Sequence, residues 1–189
     1  MLSKKLKKPF FGGQRISLET AKQSVTDFIN NHFVLLGEKD ESVSLDGILS
    51  AINNLEFDGL MIDPYNELES TRPTNMSMTE FVGHNLIRLR RFGKLKNKII
   101  FISAHPTKPK KDDDGKYRVA ELYDIADSAH WRNKADFGIS VFRNEDTHQT
   151  EIHIQKVRFR HYGELGMTTL LFDKMCGAFY ENKEGEIVW

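Results

Sequence analysis

Residues 57–67 read FDGLMIDPYNE, and this stretch decides how the chain around it is arranged. Gly59-Leu60-Met61-Ile62 is a short apolar run that ends on Asp63, with Pro64 directly after it. A run this short, bounded by Gly and Pro, predicts a strand buried on both faces. An ionised carboxylate at the end of such a strand needs a partner. In open α/β sheets, the carboxyl ends of the strands are also where ligands bind. A second run of the same kind, KIIFISAH over 98–105, has four consecutive apolar residues and ends in His105 before Pro106. The two strands are expected as neighbours, with Asp63 and His105 facing one crevice.

Working outward, Ser17 is placed to cap a helix that reaches about His32, with Ala21, Val25, Phe28 and Ile29 on one face. Phe33-Val34-Leu35-Leu36 reads as a short strand closed by Gly37. Ser44 opens a second helix, to about Leu55, whose apolar side is Leu45, Ile48, Leu49, Ile52 and Leu55. Ser77-Met78-Thr79-Glu80 has capping-box spacing, so a third helix is expected from there to about Phe92, ended by Gly93. The segment 107–118 reads as a long, charged, mobile loop. Residues 119–135 read as short helix. Strands follow at 137–143, 150–159 and 167–172, with a final hairpin near 178–189. Helix–strand alternation followed by antiparallel strands predicts a mixed α/β sheet in a single domain spanning 1–189, with 1–16 a basic connector.

Composition narrows the function classes. The 189 residues suffice for one domain core, and Lys+Arg balances Asp+Glu at 27 each, so net charge points to no partner. Basic residues are nonetheless clustered, at Lys4–Lys8, Arg88–Lys98, Lys108–Lys111 and Lys156–Arg160; the first two clusters read as solvated faces. A single cysteine, Cys176, rules out a disulfide framework or a thiolate metal site within one chain. No apolar run approaches the ~20 residues needed to span a bilayer, and a cytoplasmic setting is expected.

The strand 150–159 carries the sharpest pattern. Alternation puts Ile152, Ile154, Lys156 and Arg158 on one face, with Lys156 and Arg158 ~6.5 Å apart along the strand. Two like charges on one face repel, so an anion or carboxylates should stand opposite them. A basic strand end that keeps an edge soluble is the alternative.

DGLMIDPYNE, IIFISAHPTKP, ELYDIADSAHWRNKADFGISVFR and IHIQKVRF, in this order, resemble the ATPase domain of DnaB-like hexameric replicative helicases, in particular the Twinkle and phage primase–helicase branch. The resemblance covers most of residues 17–175. It implies a RecA-like, mainly parallel mixed sheet flanked by helices, incomplete at its N-terminal side and ending in antiparallel strands. ATP and Mg²⁺ are the implied cofactors, and single-stranded DNA and further subunits of a homo-hexameric ring the implied partners. Asp63 matches the Walker B acid that holds Mg²⁺ through water, and His105 the phosphate-sensing histidine. Asn133 falls where relatives often place a glutamine. Lys156 and Arg158 match a lysine and an arginine finger that act on the neighbouring subunit's nucleotide. The loops 67–76 and 107–119 match two DNA-gripping loops, with Lys108, Lys110 and Lys111 as phosphate contacts.

One family element is missing from the sequence. The phosphate loop GxxxxGK[ST] does not occur; Gly93-Lys94 and Gly115-Lys116 lack both the following Ser or Thr and the upstream Gly. The segment LSKKLKKPFFGG (2–13) is similar to the one that follows the catalytic glutamate in relatives. The chain is therefore expected to be the C-terminal portion of such a domain, as a fragment, split product or truncated form, with phosphate loop and glutamate expected upstream of Met1. A non-catalytic DNA-binding or ring-assembly protein is the alternative.

Overall fold

Two serines start helices where their spacing says they should. The computed structural model describes residues 18–36, 44–107, 111–125, 129–174, 177–183 and 186–188. Ser17, Lys108, Lys110, Cys176 and the basic segment 1–16 lie outside the described residues. Helix α1 is Leu18–His32, α2 Leu45–Ile52 and α3 Met78–Lys96. Ser44 Oγ accepts the Gly47 N–H at 3.1 Å. Ser77 and Glu80 form a reciprocal capping box, Glu80 Oε2 accepting the Ser77 N–H at 2.9 Å. The Ser77 hydroxyl, which donates to Glu80 Oε2 at 2.7 Å, and then the Ser77 N–H hold the Glu80 carboxyl below the usual carboxylate range.

Helix α3 continues past Gly93 and ends instead at Asn97, which takes the left-handed conformation with φ 53°. Gly93 is used for packing: a Cβ there would lie 2.9 Å from the Lys98 carbonyl oxygen. It marks close approach of α3 to the next strand rather than a stop signal.

Strands β1 (Gly59–Ile62) and β2 (Ile99–Ile102) pair in parallel, with Gly59 opposite Ile99 and Ile62 opposite Ile102. Only one face of the pair is covered. Leu60 and Ile62 are buried, whereas Met61, Ile99 and Phe101 are more than half exposed. The expectation of strands buried on both faces is thus corrected: α2 and α3 cover one side, and the odd residues look away from it. The covering core joins Leu45, Ile48 and Ile52 of α2, Val82, Leu86 and Leu89 of α3, and Tyr65, Leu68 and Trp131.

After α4 (Ala129–Lys134), strands β3 (Phe137–Asn144), β4 (Gln149–Val157), β5 (Gly166–Asp173), β6 (Ala178–Lys183) and β7 (Glu186–Val188) form one sheet in chain order. β5 and β6 pair antiparallel with Phe172 opposite Phe179, and β6 and β7 with Asn182 opposite Ile187. The mixed α/β character holds, but parallel pairing among the described residues is limited to β1 and β2, so "mainly parallel" is corrected. The strand expected at 33–36 is also absent: these residues follow α1 as exposed chain.

By contacts the chain forms two compact units. One contains α1, Val141–His153 and the chain from Met167 on. Within it, Asn144 Oδ1 accepts the N–H groups of Asp146 and Thr147 at 3.1 Å each, shaping the β3–β4 turn. Glu151 accepts from Asn144 at 2.7 Å and contacts His153 at 2.7 Å, which lowers its pKa, Asn144 contributing most. The other unit, Leu36–Ser140 with Ile154–Gly166, holds the core described above and every described residue of the candidate site.

Candidate functional site

Parallel pairing brings the chain off the same end of β1 and β2. Beyond that end the backbones stay linked. The Ser103 N–H donates to the Ile62 carbonyl at 2.9 Å, and the Tyr65 N–H to the Ser103 carbonyl at 2.8 Å. The His105 N–H reaches Asn66 Oδ1 at 3.5 Å. Asp63 and His105 therefore stand at one edge, both with exposed side chains. Two residues beyond Asp63, Tyr65 is 1% exposed. Its ring meets Trp131 edge-on with centroids 4.9 Å apart, and its hydroxyl accepts from Asn85 Nδ2 at 3.2 Å. A buried aromatic with a satisfied hydroxyl is a firm anchor, so Asp63 projects from a fixed backbone.

The segment after His105 is fixed too. The Thr107 N–H and Oγ1 both donate to the Asp124 carbonyl, at 3.0 and 3.2 Å. Asp124 is itself buried, its carboxylate receiving Arg118 at 3.1 and 3.0 Å and the Glu121 N–H at 2.9 Å. Between these anchors the expected mobile loop contains a tight hairpin: the Asp112 N–H donates to the Lys116 carbonyl at 2.8 Å, with Gly115 at φ +78°. Lys111 of that hairpin lies over the Tyr117 ring, 4.9 Å from its centroid. Lys108 and Lys110 are not among the described residues. The other expected DNA loop begins as a 3-10 helix, Tyr65–Thr71.

Lys156 and Arg158 have a different setting. Both turn onto the carboxyl end of α4. Lys156 Nζ donates to the Arg132 carbonyl, and Arg158 Nη2 donates to the carbonyls of Asn133 and Ala135, at 2.6 and 3.2 Å. Helix ends leave such carbonyls unpaired and favour cations beside them. Asp136 completes the arrangement: its Oδ1 lies 2.7 Å from Arg158 Nε and 3.2 Å from Arg90 Nη2. The Arg158 Nε–H does not point at that oxygen, so the contact is one of charge rather than an aligned hydrogen bond. Carbonyls and a carboxylate are thus what stands opposite the two like charges. Asn133 contributes its backbone carbonyl; its side chain is exposed. Burial, followed by the nearby Arg158 and Arg132 guanidiniums, pulls the Lys156 ammonium below the ordinary lysine pKa.

Asp136, Arg90 and Asn66 were not legible as site residues. The signal for Asp136 was an acid directly before a strand whose neighbour carries two cations on one face. For Asn66 it was an amide three residues past Asp63, within reach of the next strand's end.

What the open edge can hold follows from its donors. An exposed carboxylate and an imidazole at adjacent strand ends can bind a water-coordinated divalent cation and donate to a phosphate oxygen. Among the described residues no three His, Cys, Asp or Glu gather as a metal cage. The donors present fit the outer part of a metal–phosphate site.

No family model matches the chain. It is similar to a Twinkle homolog protein. This relative, from Arabidopsis thaliana and described as chloroplastic/mitochondrial, is 32% identical over 96% of the chain. The chain spans about a quarter, 27%, of the length of that Twinkle homolog. The similarity agrees with the branch that the four motifs resemble. No helix among the described residues is long and apolar enough to cross a membrane, and the relative's own description names organelles rather than the cytoplasm expected from the sequence.

Proposed function

We propose that this chain is part of the ATPase module of a DnaB-like replicative DNA helicase, a RecA-like domain that binds ATP between subunits of a hexameric ring and moves along single-stranded DNA. The observation that carries this reading is the parallel β1–β2 pair, which brings Asp63 and His105 off one edge. The 32% identity to a Twinkle homolog protein supports it.

In this reading Asp63 holds the waters of a bound Mg²⁺, and His105 donates to the terminal phosphate. The bound Mg²⁺–ATP supplies the phosphoryl group and neutralises its charge. Tyr65 and Asn66 keep the two side chains at a fixed edge, and the Arg118–Asp124 pair holds the chain after His105. Lys156 and Arg158 contact the nucleotide of the neighbouring subunit, and Asn133 lies beside them. Lys108, Lys110 and Lys111 contact DNA phosphates, so binding weakens steeply with salt and ignores base identity. No phosphate loop occurs within these 189 residues. Without it the chain alone does not turn over ATP, because neither the phosphate cradle nor its positioning is present.

The test is reconstitution. Mixing the chain with a piece bearing the phosphate loop is expected to give ATPase activity stimulated by single-stranded DNA. Asp63→Ala should abolish it, and robust turnover by the chain alone would contradict the proposal. One observation favours a second reading, a non-catalytic RecA-like protein for DNA binding or ring assembly: Lys156 and Arg158 are closed onto their own helix end. That reading predicts DNA binding with no turnover in any mixture.

A further inference from the structure

Two arginines meet on one carboxylate near the end of α4, and two further cations stand close by. Arg158 and Arg90 both contact Asp136 Oδ1, at 2.7 and 3.2 Å. Lys156 is bound to the Arg132 carbonyl, and the Arg132 guanidinium stacks over Tyr123, 5.2 Å from the ring centroid. Arg90, Arg132 and Arg158 all lower the Lys156 pKa, while Asp136 alone opposes them. Among the described residues, one carboxylate and the neutral carbonyls of α4's end face these four cations, which leaves the cluster short of anion.

The single carboxylate is also imperfectly held. The Arg158 Nε–H is not aimed at it, and the side chains of Arg158 and Asp136 retain 27% and 40% of their exposure. A misaligned, part-solvated ion pair is weak, and a multiply charged phosphate chain offers more charge and bidentate geometry to the same guanidiniums.

We propose that Asp136 is an internal counter-anion that parks Arg158 in its own subunit, together with Arg90, and yields it to the polyphosphate of a nucleotide. Asp136 is a positioning residue: it acts through Arg158 and competes with the incoming phosphates. The proposal rests on the assignment of Arg158 as a phosphate contact. It adds that the contact is switched, closed on Asp136 when no nucleotide is presented and open when one is.

The probe is inorganic tripolyphosphate, titrated calorimetrically into the full chain at low salt. Asp136→Asn keeps the side chain's shape and removes its charge. It is expected to tighten tripolyphosphate binding on the order of tenfold, the scale of one close charge in a part-solvated site. Adding Arg158→Gln should remove that gain. A purely structural role for Asp136 predicts weaker binding on substitution, not stronger. A twelve-residue oligodeoxythymidine is the second probe. A gain confined to tripolyphosphate supports the proposal, whereas no gain, or an equal gain for the oligonucleotide, overturns it.

The unsubstituted chain gives an independent measurement should the variant fail to fold. The guanidinium NMR signals of Arg158 and Arg90 should shift together as tripolyphosphate is added. Signals that stay fixed while other residues respond would overturn the proposal. The readout is anion binding rather than turnover. Tightened binding with an inactive reconstituted mixture would keep the latch and reject the helicase reading, and active reconstitution with no tightening would do the reverse.

Discussion

The edge beyond β1 and β2 and the end of α4 both collect charged side chains, yet they treat them oppositely. At the first, Asp63 and His105 are exposed, and it is the backbone around them that is bonded: Tyr65, Ser103, Thr107, and His105 itself through its N–H to Asn66 Oδ1. At the second, the charged groups themselves are engaged, Lys156 and Arg158 on helix carbonyls and Asp136 on two arginines. The first is a rigid frame presenting open chemistry. The second is closed chemistry that must be released before it can act on anything else. A charged residue at a strand end therefore has no fixed meaning; what lies beyond the strand decides.

The largest expected effect concerns the frame. Tyr65→Ala removes a buried ring from between α3 and α4 and leaves Asn85 Nδ2 without its hydroxyl acceptor. A loss of about 3–5 kcal/mol of stability is expected in urea unfolding. A loss under about 1 kcal/mol would mean that the open edge is not anchored as described.

Next in size is a paired comparison of acids. Asp136→Ala strips the shared partner from Arg158 and Arg90. Because this pair is part-exposed, the cost is about 1 kcal/mol. Asp63→Ala, at the exposed edge, should change stability by less than about 0.5 kcal/mol, while abolishing the ATPase activity proposed for the reconstituted mixture. Equal costs at the two positions would erase the distinction between open and closed ends.

A smaller effect is readable by pH. The folded-state pKa of Lys156 is lowered, chiefly by burial and then by Arg158 and Arg132. Its charged form is thus disfavoured in the folded chain at neutral pH. That cost is relieved as pH rises through the folded value toward the unfolded one of about 10.4. By NMR, Lys156 should titrate earlier than the surface lysines. Arg158→Gln should move it back only part-way, because desolvation remains.

Much of this could be read in the sequence. Serine caps at Ser44 and Ser77, the paired apolar runs and their polar ends are local signals, and each acts within a few residues. What escaped depends on packing. Gly93 reads as a helix stop until the β2 backbone is beside it, and Asn97 then takes the left-handed cap. Phe33–Leu36 has strand propensity without a described strand to pair with. The two-sided burial expected for β1 needs a second covering layer, and the exposure of Met61 and Phe101 shows that no described segment supplies one. Asp136 was invisible as a site residue because its meaning comes from Arg90, 46 positions earlier, and Arg158.

The most direct measurement is where a nucleotide-bound metal sits. The chain, reconstituted with a phosphate-loop piece and loaded with a slowly hydrolysed ATP analogue and Mn²⁺, can be followed by paramagnetic broadening of backbone NMR signals. Broadening centred jointly on Asp63 and His105 is the predicted result. Broadening that leaves both untouched, with nucleotide demonstrably bound, would contradict the account.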